Sequence, residues 1–375
     1  MKIGILTLPL HTNYGGVLQA YALQYSLHSM GHQAYIIDCR SNPKYANLVK
    51  YSAAWLLKAI SFIAPPLKDK LAPIEHQMRA DKVIIRQNTE RFIQNNIPLR
   101  HYRNYQSISK KDFDVIVVGS DQIWRAEYFP KIRVAFLDFT RGWSIGRIAY
   151  AASFGVDHWK YSGEQTAECQ ELISHFDAVS LREKSGVELC AKELLCKASE
   201  VADPTLLLPK EVYVELVKGA RLPKTDGELL VSFLDRDPDK LLTVGSLSKR
   251  YSAKPFSVNS RVEDRTAPIE ERIQPPIEEW LQGFINAKYI ITDSFHAMVF
   301  AIIFNKPFIV YGNKARGYTR FSSLLSRLGL ESQFVTSFSE LNLDRCFEIE
   351  WSSVNERVDQ FRSESLKFLA KSLKS

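Results

Sequence analysis

The sequence predicts an α/β protein with two Rossmann-like domains that face a cleft, and with a helical insertion in the N-terminal half. Three observations predict this fold. Short apolar segments alternate with helix-patterned segments along most of the 375 residues. Glycine and polar residues follow several apolar segments directly, as they do at the carboxyl ends of strands in open parallel sheets. The composition, with 45% hydrophobic and 24% charged residues, is that of a globular protein, and the length suggests about two domains.

The first domain is predicted to span 1–205. It begins with KIGILTL, the loop HTNYGG, the helix-patterned VLQAYALQYSLHSM and a second apolar segment, QAYIID, which together have the pattern of a βαβ unit. Further strands are expected at 114–120, 147–153 and 177–183, with helices near 162–175 and 184–195. The segment 198–209 is expected to be the last apolar strand, and Pro204 and Pro209 mark the domain boundary.

The second domain is predicted to span 206–345. Strands are expected at 228–235, 254–258, 288–294 and 307–312, with helices near 237–250, 277–287, 296–304 and 318–328. The segment 350–375 has the pattern of one amphipathic helix, and its packing partner cannot be identified from the sequence.

The charge of the chain is concentrated in the insertion, at about 40–111. Between Arg40 and Lys111 basic residues outnumber acidic ones by fourteen to four, whereas the whole chain carries +7, so the remainder is close to neutral. This distribution excludes a general nucleic-acid-binding surface. Two interpretations of the insertion stay open: a surface that binds an anionic or membrane-held partner, with Trp55 as an apolar contact, and a solvated helical flap.

Cysteine usage and hydropathy predict the compartment. Five scattered cysteines without a Cys-x-x-Cys pair argue against a disulfide framework and a zinc site. The apolar segment 51–64 contains Lys58 and falls short of the ~20 residues that span a bilayer. We therefore expect a cytoplasmic protein without a bound metal, either free or at the inner face of the membrane.

Two loops of the first domain are candidates for ligand binding. Gly15 and Gly16, with Asn13, lie between the first strand and the first helix, where backbone amides and the helix dipole favour an anion. The alternative is an ordinary tight turn. Asp121, in GSDQIWR, follows an apolar strand and could orient a hydroxyl group or act as a base, or it could cap a helix.

The remaining candidates follow later strands. Arg182 suits bidentate binding of a carboxylate or phosphate, with an exposed salt bridge as the alternative. In ITDSFHAMVFAIIF, Ser294 can cap a helix whose first turn contains His296, a candidate general acid or phosphate ligand. Arg316 and Arg320 follow the next strand and could complete an anion pocket or decorate a loop.

Taken together, these motifs resemble those of the polysaccharide pyruvyl transferase family. The matching segments are NYGGVLQAYAL (13–23), GSDQIW (119–124), SLREKSG (180–186), VADPTLLL (201–208), WLQGFINAKYIITDSFHAMVFAIIFNKPF (280–308) and RGYTRFSSLL (316–325). The resemblance implies a fold like that of GT-B glycosyltransferases. It also implies that the enolpyruvyl carbons of phosphoenolpyruvate are transferred to two hydroxyl groups of a sugar, which forms a pyruvate ketal. The sugar would belong to a capsular or exopolysaccharide or to its lipid-linked precursor, and no metal or redox cofactor would be needed. By position, Arg182 would hold the donor and His296 would act as the acid or base.

One departure from the family pattern affects the donor site. Family members tend to carry Arg-x-His where this chain has Ser294-Phe295-His296, so an anion-binding arginine is replaced. Arg316 or Arg320 could substitute for it. Because a fold does not fix chemistry, two alternatives stay open: a glycosyltransferase that uses a nucleotide sugar, and a glycan-binding protein that has lost its activity.

Overall fold

The computed structural model describes residues 1–39, 66–220, 222–223, 225–235, 237–312 and 317–374, with 66–79 described by their backbone alone. In the first domain the strands are β1 (Lys2–Leu6), β2 (Gln33–Cys39), β3 (Leu99–Tyr102), β4 (Val115–Val118), β5 (Gly146–Ala152), β6 (Ala178–Leu181) and β7 (Ser199–Glu200). In the second they are β8 (Leu229–Ser232), β9 (Pro255–Phe256), β10 (Tyr289–Thr292), β11 (Phe308–Tyr311) and β12 (Phe334–Val335).

Helices flank both sets of strands. They are α1 (Tyr14–Ser29), α2 (Pro66–Asn96), α3 (Ile132–Ala135), α4 (Gly163–Ile173), α5 (Lys184–Glu193), α6 (Pro204–Leu207), α7 (Lys210–Val217), α8 (Pro238–Tyr251), α9 (Ile269–Arg272), α10 (Ile277–Asn286), α11 (Phe295–Ile303), α12 (Thr319–Leu328) and α13 (Trp351–Ser372). No helix in the described part of the chain is long and apolar enough to cross a membrane.

Within the described ranges the strands form two parallel sheets, in the orders β3-β2-β1-β4-β5-β6-β7 and β12-β11-β10-β8-β9. The strands are short and apolar on both faces because helices cover both faces, as in β4, where all four residues are buried. This architecture confirms the predicted α/β class with two Rossmann-like domains. Since the strands of each sheet are parallel, their carboxyl ends share one edge, where ligands of such folds bind.

Two predicted elements differ in the structure. The insertion was expected to continue to about 111, but Leu99–Tyr102 pairs with β2 and extends the first sheet. The expected strand at 198–209 ends at Glu200. Asp203 then caps α6 by accepting from the Thr205 amide, and Pro204 occupies the first helical turn, so this segment turns into a helix.

The C-terminal helix α13 returns to the first domain. Its Ser365 accepts a hydrogen bond from the Ala202 amide, and Arg362 donates to the Leu206 carbonyl oxygen. The helix also packs against α12 of the second domain. The helix therefore contacts both domains.

Candidate active site

The carboxyl ends of β4 and β6 bring Asp121 and Arg182 together beneath the second domain. The Arg182 guanidinium lies 3.1 Å from Asp121, 2.9 Å from Asp203 and 3.7 Å from Glu183. Asp121 adopts a left-handed backbone conformation with φ of 67°, a strained geometry that is common at functional sites. The cluster differs from the exposed salt bridge considered as an alternative, because Arg182 is only 4% exposed.

Asp203 is the anchor of this cluster. One carboxylate oxygen accepts hydrogen bonds from the Thr205 amide and hydroxyl, at 3.0 and 2.7 Å. The other accepts from Arg182 and, at 3.2 Å, from the Ser120 hydroxyl. In the sequence this aspartate lies in the family-like segment VADPTLLL, beside the predicted domain boundary, without a predicted role in the site. Its signal was the Asp-Pro pair after an apolar segment, which marks a helix cap at the edge of the cleft.

The charges of the cluster stabilise one another. Burial opposes ionisation of Asp121, but Arg182, His296 and Arg320 outweigh it and lower the pKa of this carboxyl. Burial likewise opposes ionisation of Asp203, but His296 and Arg182 outweigh it and lower the pKa of this carboxyl. Although burial lowers the pKa of Arg182, the surrounding carboxylates raise it overall. Both aspartates are therefore ionised at neutral pH beside a permanent cation.

The second domain contributes His296 from the first turn of α11. Ser294 caps this helix, with its hydroxyl 3.5 Å from the Ala297 amide. The neighbouring Asp293 instead accepts from the Leu234 amide and Lys240, each at 2.6 Å, and holds the loop before α8. His296 is 7% exposed, and its Nε2 lies 3.6 Å from Asp203, within ion-pair range but beyond a direct hydrogen bond.

The loop before α1 fits against this histidine. Asn13 caps α1 by accepting from the Gly16 amide at 3.2 Å, so that amide has a partner within the chain. Gly15 packs directly on the His296 ring, since a Cβ at this position would lie 2.1 Å from Nδ1. Glycine is required here by the close approach of the two domains. The loop thus positions His296 in the structure.

A second buried cation, Arg320, completes the site. It extends from α12, is 6% exposed, and burial together with Arg182 lowers its pKa to about 10, so it stays cationic at neutral pH. The guanidinium carbons of Arg182 and Arg320 lie 4.8 and 5.5 Å from the centroid of the Phe295 ring. Phe295 therefore holds two like charges near one another through its π-system. The sequence does not indicate this role of Phe295.

Glu183 is fully buried beside the arginine pair. Burial raises the pKa of its carboxyl, and Arg182 opposes the shift without reversing it. In the sequence Glu183 follows Arg182 in the family-like segment SLREKSG, without a predicted role in the site. A buried carboxyl that holds its proton more tightly than usual is typical of functional sites.

The two domains meet closely over the cluster. The Gly317 backbone lies against the Gly155 carbonyl oxygen, so that a Cβ at Gly317 would be 2.3 Å from it. A surface cleft of about 310 Å³ lies elsewhere, between the C-terminal halves of α1 and α2, and is lined by Tyr21, Tyr25 and His28 among others. The predicted site residues do not line that cleft.

Two of the residues named in the sequence analysis cannot be placed. Arg316 lies outside the described residues, as does Trp55. Within the described ranges, no group of three or more His, Cys, Asp or Glu side chains is arranged to hold a metal ion.

Comparisons with known proteins support this fold. Similar solved structures include the UDP-GlcNAc 2-epimerase from Neisseria meningitidis (TM-score 0.50, 9% identity, covering 100% of this chain and 99% of that chain) and the UDP-N-acetylglucosamine 2-epimerase from Rickettsia bellii (TM-score 0.52, 9% identity, covering 99% and 96%). At this identity the likeness concerns the fold alone. No curated protein sequence matches the chain.

A family model places the chain more specifically. The model described as polysaccharide pyruvyl transferase matches residues 13–315, a range that begins at Asn13, the cap of α1, and includes the carboxyl ends of β4, β6 and β10. The chain therefore belongs to the polysaccharide pyruvyl transferase family, and it is a transferase.

Proposed function

We propose that this protein transfers the pyruvyl group of phosphoenolpyruvate to two hydroxyl groups of one sugar, in a polysaccharide or its lipid-linked precursor. The observation that carries the proposal is the buried cluster in which His296 faces Asp203 at 3.6 Å, beside the two arginines. Phosphoenolpyruvate carries a carboxylate and a phosphate, so its site needs more than one cation and a group that transfers protons.

The two arginines have different roles in this proposal. Both Nη groups of Arg182 are engaged, at 2.9 Å with Asp203 and 3.1 Å with Asp121, so Arg182 fixes these carboxylates. Arg320 comes from the loop and helix that follow β11, and it supplies the cation that family members place two residues before the histidine. The N-terminus of α11 adds a favourable dipole for the departing phosphate.

The chemistry then proceeds in two additions at one carbon. A proton from His296 goes to the methylene carbon of the donor, which becomes a methyl group, while a sugar hydroxyl bonds to the central carbon and gives its proton to a base. The bond between that carbon and the phosphate oxygen breaks, and a second hydroxyl adds. One hydroxyl proton is thereby transferred to the methyl group in net terms, and the other leaves with the phosphate.

Asp121 and Asp203 serve the proton transfers. Asp203 stabilises the protonated imidazole of His296, because its carboxylate is ionised and close. Asp121 is the base that accepts a hydroxyl proton, either directly or through water. Its low pKa makes it a weak base, and positioning in a water-poor site compensates for this weakness.

The acceptor is proposed to reach the site from the inner face of the membrane. The exposed side of α2 carries Val83 and Ile84, which are 73% and 40% exposed, next to the exposed Lys82. Exposed apolar side chains next to a basic one favour contact with an anionic lipid surface, where a lipid-linked glycan is held. Cosedimentation with vesicles containing phosphatidylglycerol tests this contact, and binding that does not depend on salt would contradict it.

Thermal shift with phosphoenolpyruvate tests the donor. We expect the native state to be stabilised by phosphoenolpyruvate and not by UDP-sugars. Arg320→Ala should weaken phosphoenolpyruvate binding about tenfold or more, because a charge-assisted contact is lost. Arg327→Ala is the matched control, since Arg327 lies two turns further along α12 and pairs with Glu364 at the surface.

Product analysis tests the reaction itself. Incubation with glycan and lipid-linked glycan fractions of the cell of origin should add the mass of one pyruvate less one water to the acceptor. His296→Ala should lower turnover about a hundredfold or more while the protein stays folded. Stabilisation by UDP-sugars alone would favour a glycosyltransferase, and glycan binding without any product would favour a binding protein.

A further inference from the structure

We propose that Gln274 is a positioning residue through which helix α2 holds the β1–α1 loop against His296. This inference rests on the proposed function, because it concerns the geometry of the same site. Gln274 lies in the loop between α9 and α10 of the second domain and is 6% exposed.

The backbone of Gln274 is docked on α2. Its amide donates to the Ile85 carbonyl oxygen at 3.1 Å, and its carbonyl oxygen accepts from the Asn88 side chain at 2.9 Å. Ion pairs flank this contact on both sides, between Arg272 and Asp81 at 3.7 Å and between Arg91 and Glu278 at 3.9 Å. The described end of the basic insertion, helix α2, is thus bound to the second domain.

The side chain of Gln274 connects helix α2 to the loop before α1. Its Nε2 donates to the Thr12 carbonyl oxygen at 2.8 Å, and its Oε1 accepts from Ser260 at 2.5 Å. The next residue, Pro275, accepts a hydrogen bond from the Tyr14 hydroxyl at 2.8 Å. Thr12 and Tyr14 are therefore both fixed to the second domain.

This connection ends at the proposed reacting centre. Gly15 follows Tyr14 and packs against the His296 ring without room for a Cβ. A shift of Thr12 or Tyr14 would move Gly15, and His296 would lose the wall that sets its distance to Asp203. A displacement of this size matters, because misplacing a reacting group by about 1 Å can cost about a hundredfold in rate.

The electrostatics of the cleft point to the same coupling. His11, one residue before Thr12, is half-buried, and burial together with Arg86 of α2 lowers the pKa of its imidazole. Glu263 of the second domain and Asp121 oppose this shift. Groups from α2, from the β1–α1 loop and from the second domain therefore act on one another within the cleft.

Hydrogen exchange measured by mass spectrometry tests the coupling without requiring activity. Gln274→Leu should speed amide exchange about fivefold in peptides that cover 11–20 and 294–303, because the hydrogen bond to Thr12 is lost. Asn88→Ala should do the same in 11–20, although Asn88 makes its described contact with Gln274 and not with that loop. Gln87→Leu, at an exposed position of the same helix, is the control and should leave exchange unchanged.

Kinetics distinguish positioning from general stability. With phosphoenolpyruvate and an active acceptor fraction, Gln274→Leu should lower kcat about tenfold and leave KM for phosphoenolpyruvate within about twofold, because geometry and not binding is disturbed. Unchanged exchange in 11–20 for both variants would overturn the positioning role. A wild-type protein that releases no phosphate would overturn the proposed function instead, and the exchange result would still decide the role of Gln274.

Discussion

The Asp203–Arg182 pair allows a sharp test of how the candidate site contributes to folding. Asp203→Asn keeps the shape of the side chain but removes one negative charge from beside the fully buried guanidinium, 2.9 Å away. Removing one partner of a buried ion pair costs about 3–5 kcal/mol, because the other charge is left without compensation. Asp121 stays within 3.1 Å of the same guanidinium, so we expect a loss of about 3 kcal/mol in the free energy of unfolding.

The pH dependence of this loss has a defined sign. The pKa of Asp203 is lowered in the folded protein from its ordinary value of 3.8, so its contribution is present above that pH and is lost as the pH falls below it. The difference between wild type and Asp203→Asn should stay constant from about pH 7 to about pH 5 and narrow below pH 3.8.

Urea unfolding followed by circular dichroism measures the difference. Asp344→Asn is the matched control, because its pair with Arg250 has a similar distance, 2.8 Å, but a side chain that is 73% exposed. The control should unfold at the urea concentration of the wild type, since exposed pairs contribute little. If Asp203→Asn also unfolded there, the ion pair between Asp203 and Arg182 would not stabilise the folded protein.

Two further predictions concern neighbouring groups. Gly15→Ala should fold but lose about a hundredfold in turnover, because its Cβ would lie 2.1 Å from His296 Nδ1. Gly16→Ala is the control and should keep its activity, because its Cβ would lie at an ordinary 3.5 Å from Asn13. Equal activities of the two variants would contradict the close approach of Gly15 to His296. Burial raises the pKa of Glu183 from its ordinary value of 4.5, so the wild type should lose stability as the pH rises above 4.5, while Glu183→Gln should not. Melting temperatures across that range check this, and a constant difference between the two proteins would show that Glu183 is ionised throughout.

Much of the fold was predictable because it depends on local patterns. Apolar strands followed by amphipathic helices, with glycine and proline between them, indicate a parallel α/β architecture without knowledge of distant contacts. The elements that differed depend on other information. Leu99–Tyr102 becomes a strand because β2 offers an edge to pair with, and its own sequence, LRHY, has no strong strand pattern.

The candidate site was predictable to the extent that it lies at strand ends. Asp121 and Arg182 follow parallel strands, which places them on one edge, and His296 follows a strand of the other sheet. The roles of Asp203, Phe295 and Gln274 could not be predicted, because each depends on how the two domains meet. Asp203 and Phe295 contact groups of both domains, and Gln274 contacts two elements that are far apart in sequence.

The closure of the domains over the cluster has a kinetic consequence. Asp121, Arg182, His296 and Arg320 are each less than a tenth exposed, and the Gly155 and Gly317 backbones touch above them. The acceptor proposed above, a sugar with its attached lipid or polymer, would not reach groups that are enclosed in this way. We therefore expect each catalytic cycle to include a separation of the domains, and the rate of that opening would set an upper limit on turnover, whatever the speed of the bond-making steps.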